Sequence, residues 1–237
     1  LCTAGNFRRL FDHGVKSHVY VALRLFAEVW EARLGESIKP YTDVDVADLV
    51  KKPRWKELRD IIASSDTWSA DKRYYFIAKM VCHASNYGMK APTFRVNVLQ
   101  TYHSLFPEIR KWHRDTIEKL KKERMLRNLF GYPRMFTQTV EPSMFKEAYA
   151  FVPQSTVGTI TNMAFTDLYH NKRIIELGAD VIQNNHDSVL LQCKPEDADE
   201  VCALACEALN REMISPYGEK FSMRSEACVG NNWGEMD

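Results

Sequence analysis

Asp187 stands inside Asn184-Asn185-His186-Asp187-Ser188, a polar knot between the apolar runs Val181-Ile182 and Val189-Leu190-Leu191. Its carboxylate oxygens are hard ligands of the kind a divalent cation takes. Asn and Asp are equally at home in tight turns, so the pentapeptide alone reads as an ordinary hairpin as readily as a metal site. A second set of groups lies between Asp71 and Gly88, where Tyr75, Lys79, His83 and Tyr87 recur every four residues. At about 100° per residue on a helix they form one stripe about 18 Å long. Lys72, seven residues before Lys79, falls on nearly the same face. Such a stripe is a poor core face, because a buried Lys without a partner is costly. It suits a ligand with phosphates at one end and rings at the other.

The elements that must carry these groups follow from local pattern. Residues 178–193 read as strand, tight turn and returning strand, with Asp187 at the tip. Ser69 or Asp71 is the candidate N-cap of a helix that Gly88 stops. Leu1 to Phe11 and Ser17 to Phe26 carry helical patterns; in residues 31–70, by contrast, the composition is polar and mixed. There Asp43 and Asp45 alternate with Val, which reads as an edge strand or loop with solvated carboxylates rather than as a metal site. Arg95 to Glu123 is helical, with Pro107 starting a new helix. After the hairpin, Pro195 opens a helix through Leu209, a final strand runs from Phe221 to Val229, and Trp233 reads as an anchor. Hairpin, helix and terminal strand predict an α+β fold, an antiparallel sheet backed by helices.

Composition narrows the class. A chain of 237 residues, 45% hydrophobic, can build a substantial core in one or two domains. The formal charge of +1 excludes a strongly basic chain, yet a near-neutral one can carry a basic face. Between Glu108 and Arg134 nine Lys or Arg stand against four acids, a local basic patch suited to phosphates. No apolar run reaches the ~18 residues needed to span a membrane, and no signal peptide opens the sequence, so an intracellular chain is expected. Six cysteines show no Cys-x-x-Cys pair and read as reduced structural thiols.

In order and spacing, four stretches resemble the family A (polymerase I-like) DNA polymerases. Lys79 through Tyr87-Gly88 resembles the fingers helix of that family, and His186-Asp187 with its flanking strands resembles the palm hairpin. Phe106 to Trp112 followed by Leu129-Phe130-Gly131-Tyr132-Pro133-Arg134 is similar to the stretch between them, and Gln154-Ser155-Thr156 after Pro153 to a glutamine-containing helix start. The resemblance implies fingers over residues 1–105, with an insertion at about 31–70, and the C-terminal part of a palm over 106–237. The 61 positions from His18 to Lys79 carry that insertion.

What the resemblance implies for chemistry is template-directed DNA synthesis on a primer 3′ end. Asp187 is then a ligand of Mg²⁺, two ions in all, or Mn²⁺ in their place. Lys79 neutralises and protonates the leaving pyrophosphate, with His18, Lys72, Arg73, His83 and Tyr87 at the incoming deoxynucleoside triphosphate. Tyr87, Gly88, Gln154, His186, Arg127 and Arg134 face primer-template DNA. The segment that resembles Leu1 to Phe11 follows closely after the family's first catalytic motif, whose aspartate is the partner of the hairpin aspartate. An upstream segment or partner polypeptide is therefore expected to supply that carboxylate, with little activity without it. Three residues depart from the pattern: Tyr75 stands where the family usually has Arg, His83 where it has Phe or Tyr, and Ser188 where it has Glu. His-Asp-Ser also occurs in single-subunit RNA polymerases, the first alternative; a non-catalytic nucleic-acid-binding subunit is the second. A phage, in the cytoplasm of its host bacterium, or an organelle matrix is the expected setting.

Overall fold

The computed structural model describes residues 5–64, 73–88, 96–214, 218 and 220–236. Contacts divide the chain into two units, one running to Arg124 and resuming at Phe136–Ala150, the other formed by Met125–Met135 and the chain from Phe151 onward.

The first unit is helical: α1 (Asn6–Asp12), α2 (Ser17–Leu25), α3 (Ala27–Leu34), α4 (Lys39–Thr42), α5 (Val46–Leu49), α6 (Trp55–Ala63), α7 (Arg73–Asn86), α8 (Val96–Leu105) and α9 (Pro107–Glu123). At its centre lies α2, whose residues Val19 to Leu23 are all buried and which packs against α7. The described part of the expected insertion, residues 31–64, proves well packed, because α6 turns Trp55, Leu58 and Ile62, at spacings of three and four, into the same core that holds Trp30, Ile38, Tyr41, Val46 and Leu49. A fully buried apolar side chain of this size contributes about 1.5–3 kcal/mol. The Trp30 indole N–H donates to the Ala22 carbonyl at 2.9 Å, which removes the penalty for burying it. Instead of an edge strand, Asp43 and Asp45 lie in the link between α4 and α5. Asp45 caps α5 by accepting the Ala47 N–H at 2.9 Å and pairs with Arg9 at 2.6 Å.

Pro107 takes the first position of α9, where its missing N–H costs nothing, and Arg124 ends that helix at φ +56°. The Glu108 carboxylate accepts the Phe7 N–H at 2.6 Å and the Asn6 amide donates to the Leu105 carbonyl at 3.0 Å. Together they fasten α1 to the α8–α9 corner.

The second unit contains β1 (Met125–Arg127) and β2 (Pro133–Met135), most of α10 (Pro142–Tyr169), α11 (Lys172–Glu176), β3 (Asp180–Asn185), β4 (Ser188–Gln192), α12 (Ala198–Leu209), β5 (Glu212–Ile214) and β6 (Lys220–Ser222). The mixed α+β class is as expected, but its strands form three separate antiparallel pairs, β1–β2, β3–β4 and β5–β6, among the described residues. The expected strand from Phe221 to Val229 is regular only to Ser222, where β6 pairs with β5, and Trp233 is 54% exposed on a short 3₁₀ turn rather than anchored. Gln154 does not open a helix; α10 continues through Pro153. Val181, Val189 and Leu191 of the hairpin pack on a core of Leu168, Ile174, Leu177, Val201 and Ala205. Two bonds at 2.6 and 2.9 Å between Arg173 and Glu200 join α11 to α12.

Candidate active site

On the first unit, α7 offers two exposed groups of the stripe, Lys79 and His83, and a half-buried third, Tyr87. Tyr75 is turned inward, only 8% exposed, with the His18 ring standing edge-on to it at 5.9 Å. His18 also lies 5.3 Å from the His83 ring. Packing of α2 on α7 thus brings together two imidazoles that are 65 positions apart (83 minus 18). Cys82, on the inner face, is pushed up to about 12 by burial and remains a neutral thiol at physiological pH. Lys72 lies outside the described residues, as do the candidate caps Ser69 and Asp71; Arg73 begins α7, its side chain not among those described.

The C-terminus of α7 is tied down from three sides. The Asn86 side-chain oxygen accepts the Tyr102 hydroxyl at 2.5 Å, and its backbone carbonyl accepts the His113 Nε2–H at 2.8 Å. Gly88 then turns at φ +73°, donating its N–H to the Ser85 carbonyl at 3.2 Å. Burial holds the pKa of His113 below the usual histidine range, so its ring is neutral and its Nε2–H is a donor.

On the second unit, β3 and β4 pair in the register Asn184↔Val189 and Asn185↔Ser188, leaving His186-Asp187 as a two-residue tip. The Asp187 N–H donates to the Asn185 carbonyl at 2.7 Å across His186, whose φ is +61°. This is a γ-turn with a left-handed central residue, a strained arrangement for a residue with a Cβ. Both tip side chains are exposed. A bulge between Val181 and Gln183 leaves Ile182 half in solvent and resets the strand phase ahead of the tip.

The hairpin is steadied by Asn184, whose amide donates to the Asn162 side-chain oxygen on α10. Asn162 was not among the residues expected from the sequence, although Thr159, Asn162 and Thr166 form a polar face at helical spacing. With Tyr132, Met163 and Asp167 they line an open cavity of about 530 Å³. Arg211 pairs with Asp167 at its edge. The Leu129 to Arg134 loop is bound to α10: the Asn128 amide donates to the Ser155 carbonyl at 3.3 Å and to Thr159 Oγ1 at 3.1 Å. Gln154 is exposed; the Arg127 guanidinium donates to the Gly131 carbonyl at 2.8 Å, and that of Arg134 lies 5.8 Å from the Phe151 ring.

A hard carboxylate at an exposed tip is a fit ligand for Mg²⁺, which one or two protein carboxylates hold beside substrate phosphates and water. Among the described residues no group of three or more His, Cys, Asp or Glu is placed to hold an ion, so Asp187 fits as one ligand of a set and not as a complete site.

These features agree with comparisons to known proteins. The profile of DNA polymerase family A matches residues 66–235, which include α7 and the hairpin. Thermostable DNA polymerase I of Thermus caldophilus is 25% identical over 202 residues, covering 76% of this chain and 24% of that protein. DNA polymerase theta of Caenorhabditis elegans is 24% identical over 174 residues, covering 67% of this chain and 10% of that protein. The chain thus spans about a quarter of the length of the thermostable polymerases it matches. The structure of the POL domain of Pol1 from M. smegmatis, in complex with DNA primer-template and dNTP, superposes with a TM-score of 0.61 at 16% identity, over 89% of this chain and 33% of that one. With the family profile matched across well over half of its length, this chain belongs to DNA polymerase family A.

Proposed function

We propose that this chain carries the nucleotide-binding fingers, over residues 1–105, and the C-terminal part of the palm, over 106–237, of an enzyme that adds deoxynucleotides to a primer 3′ end. The observation that carries the proposal is the family match across both the α7 helix and the Asp187 hairpin. The exposure of Lys79, His83, His186 and Asp187 supports it, since each can meet a ligand without repacking.

Lys79 sets an ammonium against the triphosphate, where a fixed cation stabilises the charge that develops on the leaving pyrophosphate and can deliver a proton to it. His18 and His83 offer imidazole N–H groups beside it, in the place left by Tyr75, which turns inward, with Lys72 and Arg73 as further phosphate partners. Tyr87 and Gly88 face the templating base. His186 contacts the primer-terminal phosphate, Gln154 the minor-groove acceptors that every correct pair presents alike, and Arg127 and Arg134 the DNA backbone. Asp187 would hold divalent ions, two Mg²⁺ or Mn²⁺, which when bound would ease deprotonation of the attacking hydroxyl and neutralise charge on the departing phosphates. One carboxylate cannot balance two such ions against DNA and triphosphate, so a second comes from an upstream segment or partner polypeptide.

The test is primer extension with Mg²⁺ on a primed template, using this chain with the polypeptide encoded upstream and comparing deoxynucleotides with ribonucleotides. Extension with deoxynucleotides is expected, and Asp187→Asn should cut it by at least about a thousandfold while primer-template binding stays within a factor of two. Undiminished synthesis by the Asn variant would remove Asp187 from the metal set. Extension only with ribonucleotides would make the chain part of an RNA polymerase.

A further inference from the structure

Away from the stripe of α7, the first unit holds a second cavity of about 280 Å³, lined by Gly88, His103, Arg110, His113, Arg114 and Tyr149. Its charge is one-sided. Two guanidiniums, one helical turn apart on α9, stand exposed at its edge, no carboxylate lines it, and neither arginine belongs to an ion pair among the described residues. His103 also lines it, and its Nδ1 is sealed from solvent with no hydrogen-bond partner, which makes its ring sensitive to any charge brought to the cavity. Gly88 is the floor: a Cβ there would lie 2.5 Å from the Tyr149 ring, so the bare glycine is what lets that ring close one wall. His113 forms the adjoining wall, its ring 4.1 Å from that of Tyr149 and held by the Asn86 carbonyl.

We infer that this cavity is a phosphate-binding site, in which one phosphoryl group takes charge-assisted hydrogen bonds from Arg110 and Arg114 beside the His103 ring. The bonding arithmetic is consistent with an oxyanion. A phosphoryl group presents several acceptors and no obligatory donor, while the cavity presents two guanidinium forks and no carboxylate. A cation would be repelled.

Two sources supply such a group: a phosphodiester of a DNA strand, which rests on the polymerase reading above, and free phosphate or a nucleotide, which does not. Desolvation holds the His103 proton off, helped by the groups that face it, Arg110 and His113, so that its pKa is lowered to about 4. An anion bound between them must raise that value, and this is the readout.

The experiment is an NMR titration of the His103 ring in this chain, alone and with inorganic phosphate, dAMP, a blunt DNA duplex, or the same duplex with a single-stranded 5′ extension. An upward shift of at least about one unit is expected with one of these probes. Arg110→Gln combined with Arg114→Gln, both exposed and safe for folding, should weaken that probe by about tenfold or more. A shift with phosphate or dAMP but with neither DNA assigns the site to a free anion; a shift with DNA alone assigns it to a strand. Probes that leave His103 unmoved, or a double variant that responds like the parent, would overturn the inference. Loss of all DNA binding with the phosphate response intact would instead count against the polymerase reading and leave the phosphate site standing.

Discussion

Gly88, immediately after Tyr87 and left-handed in its backbone, is the residue on which the end of α7 depends. Its φ of +73° costs an L-residue about 1–2 kcal/mol, and an added Cβ would meet the Tyr149 ring at 2.5 and 2.7 Å, closer than any ordinary contact. Gly88→Ala should therefore destabilise the chain by about 2–3 kcal/mol, read as a lower urea midpoint at unchanged slope. The adjacent Tyr87 would be displaced with it, so under the proposed role of Tyr87 nucleotide affinity should fall as well. An alanine variant as stable as the parent would show that Tyr149 can swing away. At the hairpin tip the situation differs. His186 also has positive φ, at +61°, but bears an exposed side chain, so the strain there accompanies a group aimed at solvent rather than a packing need.

Among the elements, α10 is the one whose continuity runs against its own sequence. Pro153 lies inside it and cannot donate an N–H, a cost of about 3 kcal/mol in a helix interior. The turn beyond the proline is held by Asn128, which is 6% exposed and uses all of its hydrogen-bonding capacity. Its side-chain oxygen accepts the Phe130 and Tyr132 N–H groups at 3.0 Å, while its amide donates to Ser155 and Thr159. Asn128→Ala would orphan the Phe130 and Tyr132 N–H groups, while Ser155 and Thr159 keep the bond between them at 2.8 Å, a loss of about 2–3 kcal/mol, measured by chemical denaturation. Asn128→Asp, which keeps the acceptor and loses the donors, should fall between the two. If the alanine variant keeps the parent's midpoint, the loop is not what secures the helix past Pro153.

At the scale of the molecule, four shifted groups make stability fall in acid. His103 and His113 have folded pKa values below their unfolded ones, at about 4 for His103. A depressed histidine pKa means that the unfolded chain binds protons first, so stability is full above the unfolded value near 6.5 and declines as pH falls toward 4. Glu57 and Glu200, held below the usual carboxylate range by hydrogen bonds from Arg54 and Arg173, lose their contribution in turn as pH falls through their folded values. Both trends run in one direction. The urea midpoint at pH 5 should lie below that at pH 7, with about 1–2 kcal/mol from His103 once solvent screening is allowed for, and His103→Phe should flatten the profile over that window. A midpoint that does not fall between pH 7 and 5 would mean that the imidazole charges without cost.

The sequence by itself determined the α7 helix with its capping glycine, the hairpin with Asp187 at its tip, the proline start of α9 and the family, because each depends on neighbours within a few residues: period, turn chemistry and breakers. Tertiary structure alone decided the rest. Tyr75 leaves the exposed stripe of α7 because α2 packs on it; His18 meets His83 through the same packing; the polar 31–64 stretch becomes core because α6 collects its three apolar residues onto one face. Asn162 reaches the hairpin, and α10 survives Pro153, through bonds spanning 22 to 31 positions. Local propensity carries no information about partners that distant; only burial and hydrogen-bond satisfaction in the folded chain select them.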